Sequence, residues 1–314
     1  MQDQSMVLFA DADTVHNHLP YPELVAALRR AHQDPSPEFA AVVTDDPTGG
    51  PNSFLALTAW QPGDVIAAKL VSVFPGNRTI PSVQGVVVLF DGGDGSVRLV
   101  ADGAAMTFRK TAADSALGAL LLSREDAEVL LVVGAGGLAP HLIAAHLAVR
   151  PSLRTVLVWN RTPARAAALA ARTAVPGVRV EAVSDLDSSV ARADIVSCVT
   201  MSTEPLVRGE LLRPGAHLDL VGSFTPAMRE ADDEALRRAS VFVDTRTDLD
   251  RSGEIHHALA SGALSPADIR GDLYELCAGQ VTGRTGPGEI TLYKNVGGAH
   301  LDLYTARHLL GALG

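Results

Sequence analysis

Only two cysteines occur in the 314 residues. Cys198 and Cys277 lie far apart and in no metal-spaced motif, so no disulfide framework is indicated and a reducing cytoplasm is the expected setting. Cys198 follows Ile195-Val196-Ser197 and reads as a buried strand residue. A basic excess is also missing. Lys and Arg number 26 against 36 Asp and Glu, a formal net charge of −10, which speaks against nucleic acid as a partner. The start, Met1-Gln2-Asp3-Gln4-Ser5, has no basic stretch before an apolar core and is not expected to be a signal peptide. The window 129–149 comes nearest to a membrane span. Its glycines, with His141 and His146, make it a strand, turn and helix, so no membrane partner is expected. Repeats, low-complexity tracts and His-Glu-x-x-His ligand sets are absent. His256-His257 reads as a surface helix pair, so no metal is expected.

What is present centres on Val132-Val133-Gly134-Ala135-Gly136-Gly137-Leu138-Ala139. An apolar run from Val129 to Val133 reads as a buried strand, and a helical pattern follows from Leu138 to Val149. Gly134-x-Gly136-x-x-Ala139 between them has the strand–turn–helix context of a dinucleotide fingerprint. Gly134 permits the tight turn and Gly136 lets backbone approach a pyrophosphate. Ala139 lets helix and strand pack closely, and the helix N-terminus meets the anion. The next strand, Thr155 to Trp159, ends in Asn160-Arg161-Thr162. Asp or Glu there would accept from a ribose 2′-hydroxyl. Asn160 is uncharged, and Arg161 and Thr162 can hold a 2′-phosphate, so the cofactor reads as NADP(H), with NAD(H) as the alternative.

Further strands are expected at 178–183, 194–199, 216–221 and 241–244, with helices between them, including 163–173 and 232–239. The fold class is α/β, a Rossmann-type doubly wound parallel sheet. Ligands bind at the carboxyl ends of such strands, which gathers Asn160, Thr200, Met201 and the Gly222-Ser223-Phe224 loop around one crevice. Before the fingerprint, strands at 65–74, 85–90 and 97–100, with a hairpin-type turn at Asp91-Gly92-Gly93-Asp94-Gly95, form a separate mixed or antiparallel sheet. Thr107 is expected to cap a connecting helix from Phe108 to Leu122. A C-terminal helix from Gly297 to Leu310 folds back on the first domain. The expected domains are therefore 1–115 with 295–314, a discontinuous α+β domain, and 116–294, the dinucleotide-binding domain.

Several stretches in order and spacing carry a resemblance: Lys69-Leu70-Val71 with Phe74-Pro75-Gly76-Asn77; Pro81-Ser82-Val83-Gln84; Thr107-Phe108-Arg109-Lys110-Thr111-Ala112-Ala113; the glycine fingerprint; Pro214-Gly215-Ala216-His217; Pro226-Ala227-Met228-Arg229-Glu230; and Lys294-Asn295-Val296-Gly297. From about Lys69 almost to its end the chain resembles the ornithine cyclodeaminase/μ-crystallin family. That resemblance implies a homodimer in which the first domain binds substrate and forms the interface. It also implies a bound nicotinamide cofactor and a small imino or amino acid substrate. Cyclodeaminases, alanine dehydrogenases, ketimine reductases and opine-type synthases share the scaffold, so the site residues must decide the reaction.

By resemblance, Lys69 contacts the substrate carboxylate and takes part in proton transfer. On its own, an ammonium on an apolar strand must find an anion, or else snorkel from an edge. Lys110 stands where the family carries an arginine for the carboxylate. Adjacent helical residues diverge by about 100°, so either Lys110 or Arg109 reaches the site. A further arginine that the family often has near residues 38–42 is missing from Glu38-Phe39-Ala40-Ala41-Val42. Phe224 replaces the aspartate of the cyclodeaminases. It can neither accept a proton nor pair an ammonium, which disfavours ornithine cyclisation, and it suits an imine ring as an apolar wall, or packs beneath its loop. The Asn160-Arg161-Thr162 and Pro226 to Asp233 stretches are similar to the ketimine-reductase branch. Arg229 and Glu230 are equally open to a structural role.

By the same resemblance, Asn77 is a substrate residue, and Ser82 and Gln84 lie near the nicotinamide. Lys294-Asn295-Val296-Gly297 forms a loop closing over it, adding Val296 and Gly297 to the cofactor set of Gly134, Gly136, Gly137, Leu138 and Ala139. The expected activity is NADPH-dependent reduction of a cyclic ketimine such as pyrroline- or piperideine-2-carboxylate. The alternatives are an open-chain amino-acid dehydrogenase or imino-acid reductase, an ornithine cyclodeaminase, and a nucleotide-dependent binding protein with little turnover.

Overall fold

A computed structural model describes residues 6–247 and 249–314. The stretch Met1–Ser5, expected not to be a signal peptide, lies outside the described residues. The chain divides into two compact units, 1–111 with 298–314, and 112–297.

The first unit opens with β1 (Leu8–Ala10), α1 (Ala12–His18) and α2 (Tyr21–Ala31). Asp11 caps α1 by accepting from the Thr14 amide. Then come β2 (Glu38–Asp45), β3 (Ser53–Gln61), β4 (Val65–Val73), β5 (Val83–Asp91) and β6 (Val97–Asp102). The sheet order is β1-β6-β5-β4-β3-β2. All neighbours are antiparallel except β1 and β6, so the sheet is mixed. The turn at 91–95 joins β5 to β6 through the Asp91 amide on the Ser96 carbonyl.

α3 (Gly103–Leu122) follows directly, and here the structure corrects the sequence reading. The helix starts four residues before Thr107. Asp102 Oδ1 accepts from the Ala105 amide, the bond of a cap, while the Thr107 hydroxyl donates back to the Gly103 carbonyl from inside the helix. An aspartate two residues ahead of the small residues Ala104-Ala105 outcompetes a threonine already followed by good helix formers.

The second unit continues from within α3 with β7 (Val129–Val133), α4 (Ala139–Val149), β8 (Thr155–Trp159), α5 (Pro163–Arg172), β9 (Arg179–Val183), α6 (Leu186–Arg192), β10 (Ile195–Cys198), β11 (His217–Leu220), α7 (Asp233–Arg238), β12 (Ser240–Val243), α8 (Gly253–Ser261), β13 (Ile269–Asp272), α9 (Leu273–Cys277) and β14 (Thr291–Lys294). All are parallel, in the order β13-β12-β14-β11-β10-β7-β8-β9. Six of them reproduce the Rossmann order, reversing between β7 and β10. Both faces are dry, with Leu131, Val133, Val196 and Leu218 on one and Leu130, Val132, Val156 and Ile195 on the other. That explains the apolar runs of β7 and β8. β13 and β14 were not expected. Both are four residues long, and charged or glycine positions interrupt them, so no period shows. Lys294, expected in a loop, is instead the fully buried last residue of β14.

α10 (Ala299–Leu313) returns the chain to the first unit, packing on β4, β3 and α2. The apolar stripe of α2, Leu24, Val25, Leu28 and Ala31, is buried there. Among the described residues no helix is long and apolar enough to cross a membrane.

Candidate active site

In the first unit, β4 turns Lys69 toward the face that carries α10. Its cross-strand neighbours are Leu57 and Val87, and 7% of Lys69 is exposed. The ammonium finds the anion it needs on α10: Lys69 Nζ lies 3.2 Å from Asp302 Oδ1 and donates to Thr107 Oγ1 at 2.5 Å. Thr107 and Lys110 are three residues apart on α3 and so share a face. Lys110 Nζ lies 3.7 Å from Asp302 Oδ2 and donates a long 3.5 Å bond to the Gly298 carbonyl. Two buried ammonium groups thus share one buried carboxylate, a cluster of net charge +1. Burial pulls the Lys69 ammonium below the ordinary lysine range, and Lys110 adds to this while Asp302 opposes it.

Arg109 points elsewhere. Its guanidinium donates to His16 Nδ1 at 3.0 Å and the His16 carbonyl at 2.8 Å, and sits 4.7 Å from the centre of the Tyr21 ring. Of the adjacent pair, Lys110 is the one beside Lys69. Asn77 closes the loop after β4 by donating to the Pro81 carbonyl. Ser82 and Gln84 are exposed at the start of β5.

Asp302 belongs to no motif in the sequence. A lone acid in the stretch Ala299 to Ala306 is a local signal of a buried charge, but its partner Lys69 lies 233 residues away, beyond any spacing argument.

In the second unit the glycine turn has the expected form. Gly134 has φ 119°, where a Cβ would sit 2.6 Å from the Val199 carbonyl, so glycine is required. Gly136 has open space where a Cβ would be, and Gly137, Leu138 and Ala139 lead into α4, whose N-terminus has no side-chain cap. Asn160 Oδ1 accepts from the Ala135 amide, and its Nδ2 donates to the Thr162 carbonyl, tying the end of β8 to the turn. Arg161 is exposed and makes no ion pair among the described residues. The same holds for Arg165 on α5, which the sequence reading did not single out. A helix N-terminus with no side-chain cap, a cleared backbone at Gly136 and two uncommitted guanidinium groups fit a dinucleotide.

Across the reversal point, Thr200 and Met201 follow β10, and Gly222-Ser223-Phe224 follows β11. Met201 is 75% exposed and Phe224 54%, so the Phe224 ring is not packed away beneath its loop. In the loop after β14, Gly297 donates its amide to Asp244 Oδ2, next to Val296. Arg229 pairs with Asp233 one turn on and donates to the Ala231 carbonyl. His256 and His257 stack edge to face on α8. Among the described residues no three His, Cys, Asp or Glu side chains are grouped as metal ligands.

The ornithine cyclodeaminase/mu-crystallin family model matches residues 14–311. The chain is 43% identical over 296 residues to the Delta(1)-pyrroline-2-carboxylate reductase of Paracoccus denitrificans, covering 93% of this chain and 92% of that one. To the ketimine reductase mu-crystallin of Mus musculus it is 35% identical over 313 residues, 95% of each. Among solved structures, that of Thermococcus litoralis Delta(1)-pyrroline-2-carboxylate reductase in complex with NADH and L-proline matches with a TM-score of 0.90. It shares 25% identity, over 98% of this chain and 97% of that one.

Proposed function

The chain belongs to the ornithine cyclodeaminase/mu-crystallin family, and from that membership we propose that it is a nicotinamide-dependent reductase of small cyclic imino acids, using NADPH in preference to NADH. The observation that carries this reading is the buried Lys69–Asp302–Lys110 cluster. Its net charge of +1 complements one carboxylate. Lys110, with a single long hydrogen bond, keeps N–H groups to spare for it. The relatives named as pyrroline-2-carboxylate and ketimine reductases support the choice of substrate class.

Bound NAD(P)H supplies the hydride that reduces the C=N carbon. The protein's part is to hold the substrate and govern one proton. Lys69 and Lys110 hold the carboxylate as point charges. Lys69, weakened as a base by burial, gives up its proton more readily than an exposed lysine, so it or a water it orients keeps the imine nitrogen protonated, the form that accepts hydride. Asp302 and Thr107 fix the ammonium in place. Phe224 offers an apolar surface and no carboxylate, which supports reduction over deaminating cyclisation. In this reading residues 1–115 with 295–314 bind substrate and form a homodimer, and 116–294 bind the dinucleotide.

The test is to mix the purified protein with NADPH and either pyrroline-2-carboxylate or piperideine-2-carboxylate, and separately with ornithine. Loss of nicotinamide absorbance with a ketimine is the expected result. Ammonia and proline from ornithine overturn the proposal, as does cofactor binding without turnover on any imine.

A further inference from the structure

Glu230 is fully buried, and its carboxylate bridges two strand-end loops. Oε1 accepts from the Thr200 amide at 2.5 Å and the Thr200 hydroxyl at 2.9 Å, and Oε2 accepts from the Gly222 amide at 2.7 Å. The loops are pressed together around it. A Cβ on Gly222 would lie 1.9 Å from the Thr200 carbonyl and 2.5 Å from Glu230 Oε1. Glu230 is itself held from below. Glu254 on α8 accepts from the Glu230 and Ala231 amides. Lys294 on β14 donates to the Leu220 carbonyl at 3.1 Å and stands 4.0 Å from Glu254 Oε2.

Thr200 and Gly222 follow β10 and β11, across the reversal point from the glycine turn. In a sheet of this order the dinucleotide crosses that point, its adenosine half on the glycine-turn side and its nicotinamide half on the other. We propose that Glu230 is a positioning residue for the nicotinamide half of the cofactor, a buried strut that sets the spacing of the Thr200 and Gly222 loops. This rests on the cofactor reading above. The hydrogen bonds of the Glu230 carboxylate go to the β10 and β11 loops and none goes to the glycine turn, so its loss is expected to weigh mainly on the nicotinamide half of the ligand.

Titration calorimetry with NADPH and with 2′-phospho-ADP-ribose, which lacks the nicotinamide, separates the halves. In Glu230→Gln the amide keeps one acceptor oxygen and sets an NH2 against a donor, so one loop loses its bond. The NADPH dissociation constant is expected to rise about tenfold, with that of the fragment changing less than about twofold. Equal weakening of both ligands, or unchanged NADPH binding, overturns the proposal. Failure of the unmodified protein to bind either ligand overturns the cofactor reading itself.

Should the variant not fold, the unmodified protein serves. Burial first, then the Glu254 carboxylate, pushes the Glu230 carboxyl up to about 7, against the Lys294 ammonium and the Thr200 and Gly222 amides. The Cys198 thiol on β10 is the other titratable group facing it. Ionised, Glu230 serves all three donors; protonated, it sets an O–H among them. The ratio of NADPH to fragment dissociation constants is then expected to fall as pH rises through about 7, the shared 2′-phosphate cancelling. A constant ratio overturns the proposal.

Discussion

Burial draws Lys69 toward the neutral amine, and a single carboxylate draws it back. Asp302 raises the proton affinity of Lys69 while desolvation and Lys110 lower it. Removing the carboxylate leaves only the lowering influences. In Asp302→Asn the alkaline limb of the pH profile of kcat/KM is expected to move to lower pH, because Lys69 loses its proton sooner. An unmoved limb would detach Lys69 from the proton step. Lys69→Met removes the acid and half of the carboxylate's partners, and kcat should fall by about a hundredfold or more on a ketimine. The second unit offers a residue test of its own. Arg161→Ser deletes a guanidinium that makes no ion pair among the described residues, so folding should be spared. KM for NADPH should rise about tenfold with that for NADH nearly unchanged, the signature of a lost phosphate contact.

Between the helices and the parallel sheet lies a polar knot that no local pattern announces. Asp219 in β11 is fully buried and accepts from Ser115 of α3 at 2.8 Å, from Ser197 of β10 at 2.6 Å and from His146 of α4 at 3.3 Å. Burial works to raise its carboxyl, but His146 and Ser197, with His217 nearby, outweigh it and hold the group below the usual carboxylate range. Asp219→Ala leaves three buried donors without an acceptor, and denaturant melts should show a loss of about 3 kcal/mol or more. Asp219→Asn, which keeps one acceptor oxygen, should lose less. Equal stability of both variants with the parent would mean that water replaces the carboxylate. The knot marks the limit of what sequence shows. β7, α4 and β8 are legible because each carries its whole signal locally, as periodicity, glycine spacing or a run of β-branched residues. The glycine turn is legible for the same reason, Lys69 stands out as an ammonium on an apolar strand, and Lys110 is reached only through the family resemblance. Asp302 meets Lys69, and Glu230 meets Thr200 and Gly222, only because the topology folds distant segments together. β13 and β14 are too short to show a period, and Asp102 took the cap from Thr107 through backbone geometry that propensity does not resolve.

At the scale of the whole molecule, the sheet of the first unit has one bare face. In the first unit, Lys69, Ala67 and Ala59 face α10, and the alternate residues point the other way. There, register places Trp60 of β3 beside Ile66 of β4 and Phe90 of β5, and Ala56 beside Leu70 and Val86, with Phe54 on the same face opposite Ser72. Phe9 of β1 and Val42 of β2 extend the same apolar face at its two edges. Trp60 is 53% exposed, Phe9 77% and Val42 61%, values that a sheet in a two-layer domain does not keep on an apolar face. On the homodimer proposed above, a second copy of the same sheet is expected to supply the missing layer, a twofold pairing making the patch its own complement. Light scattering on the eluting protein should give twice the chain mass. Trp60→Glu places a charge amid this face, distant in sequence from the glycine turn, so a shift to the single-chain mass with nucleotide binding retained is the expected result. A protein that already runs as a single chain at micromolar concentration would show that these side chains are tolerated in water, and the face would need another partner.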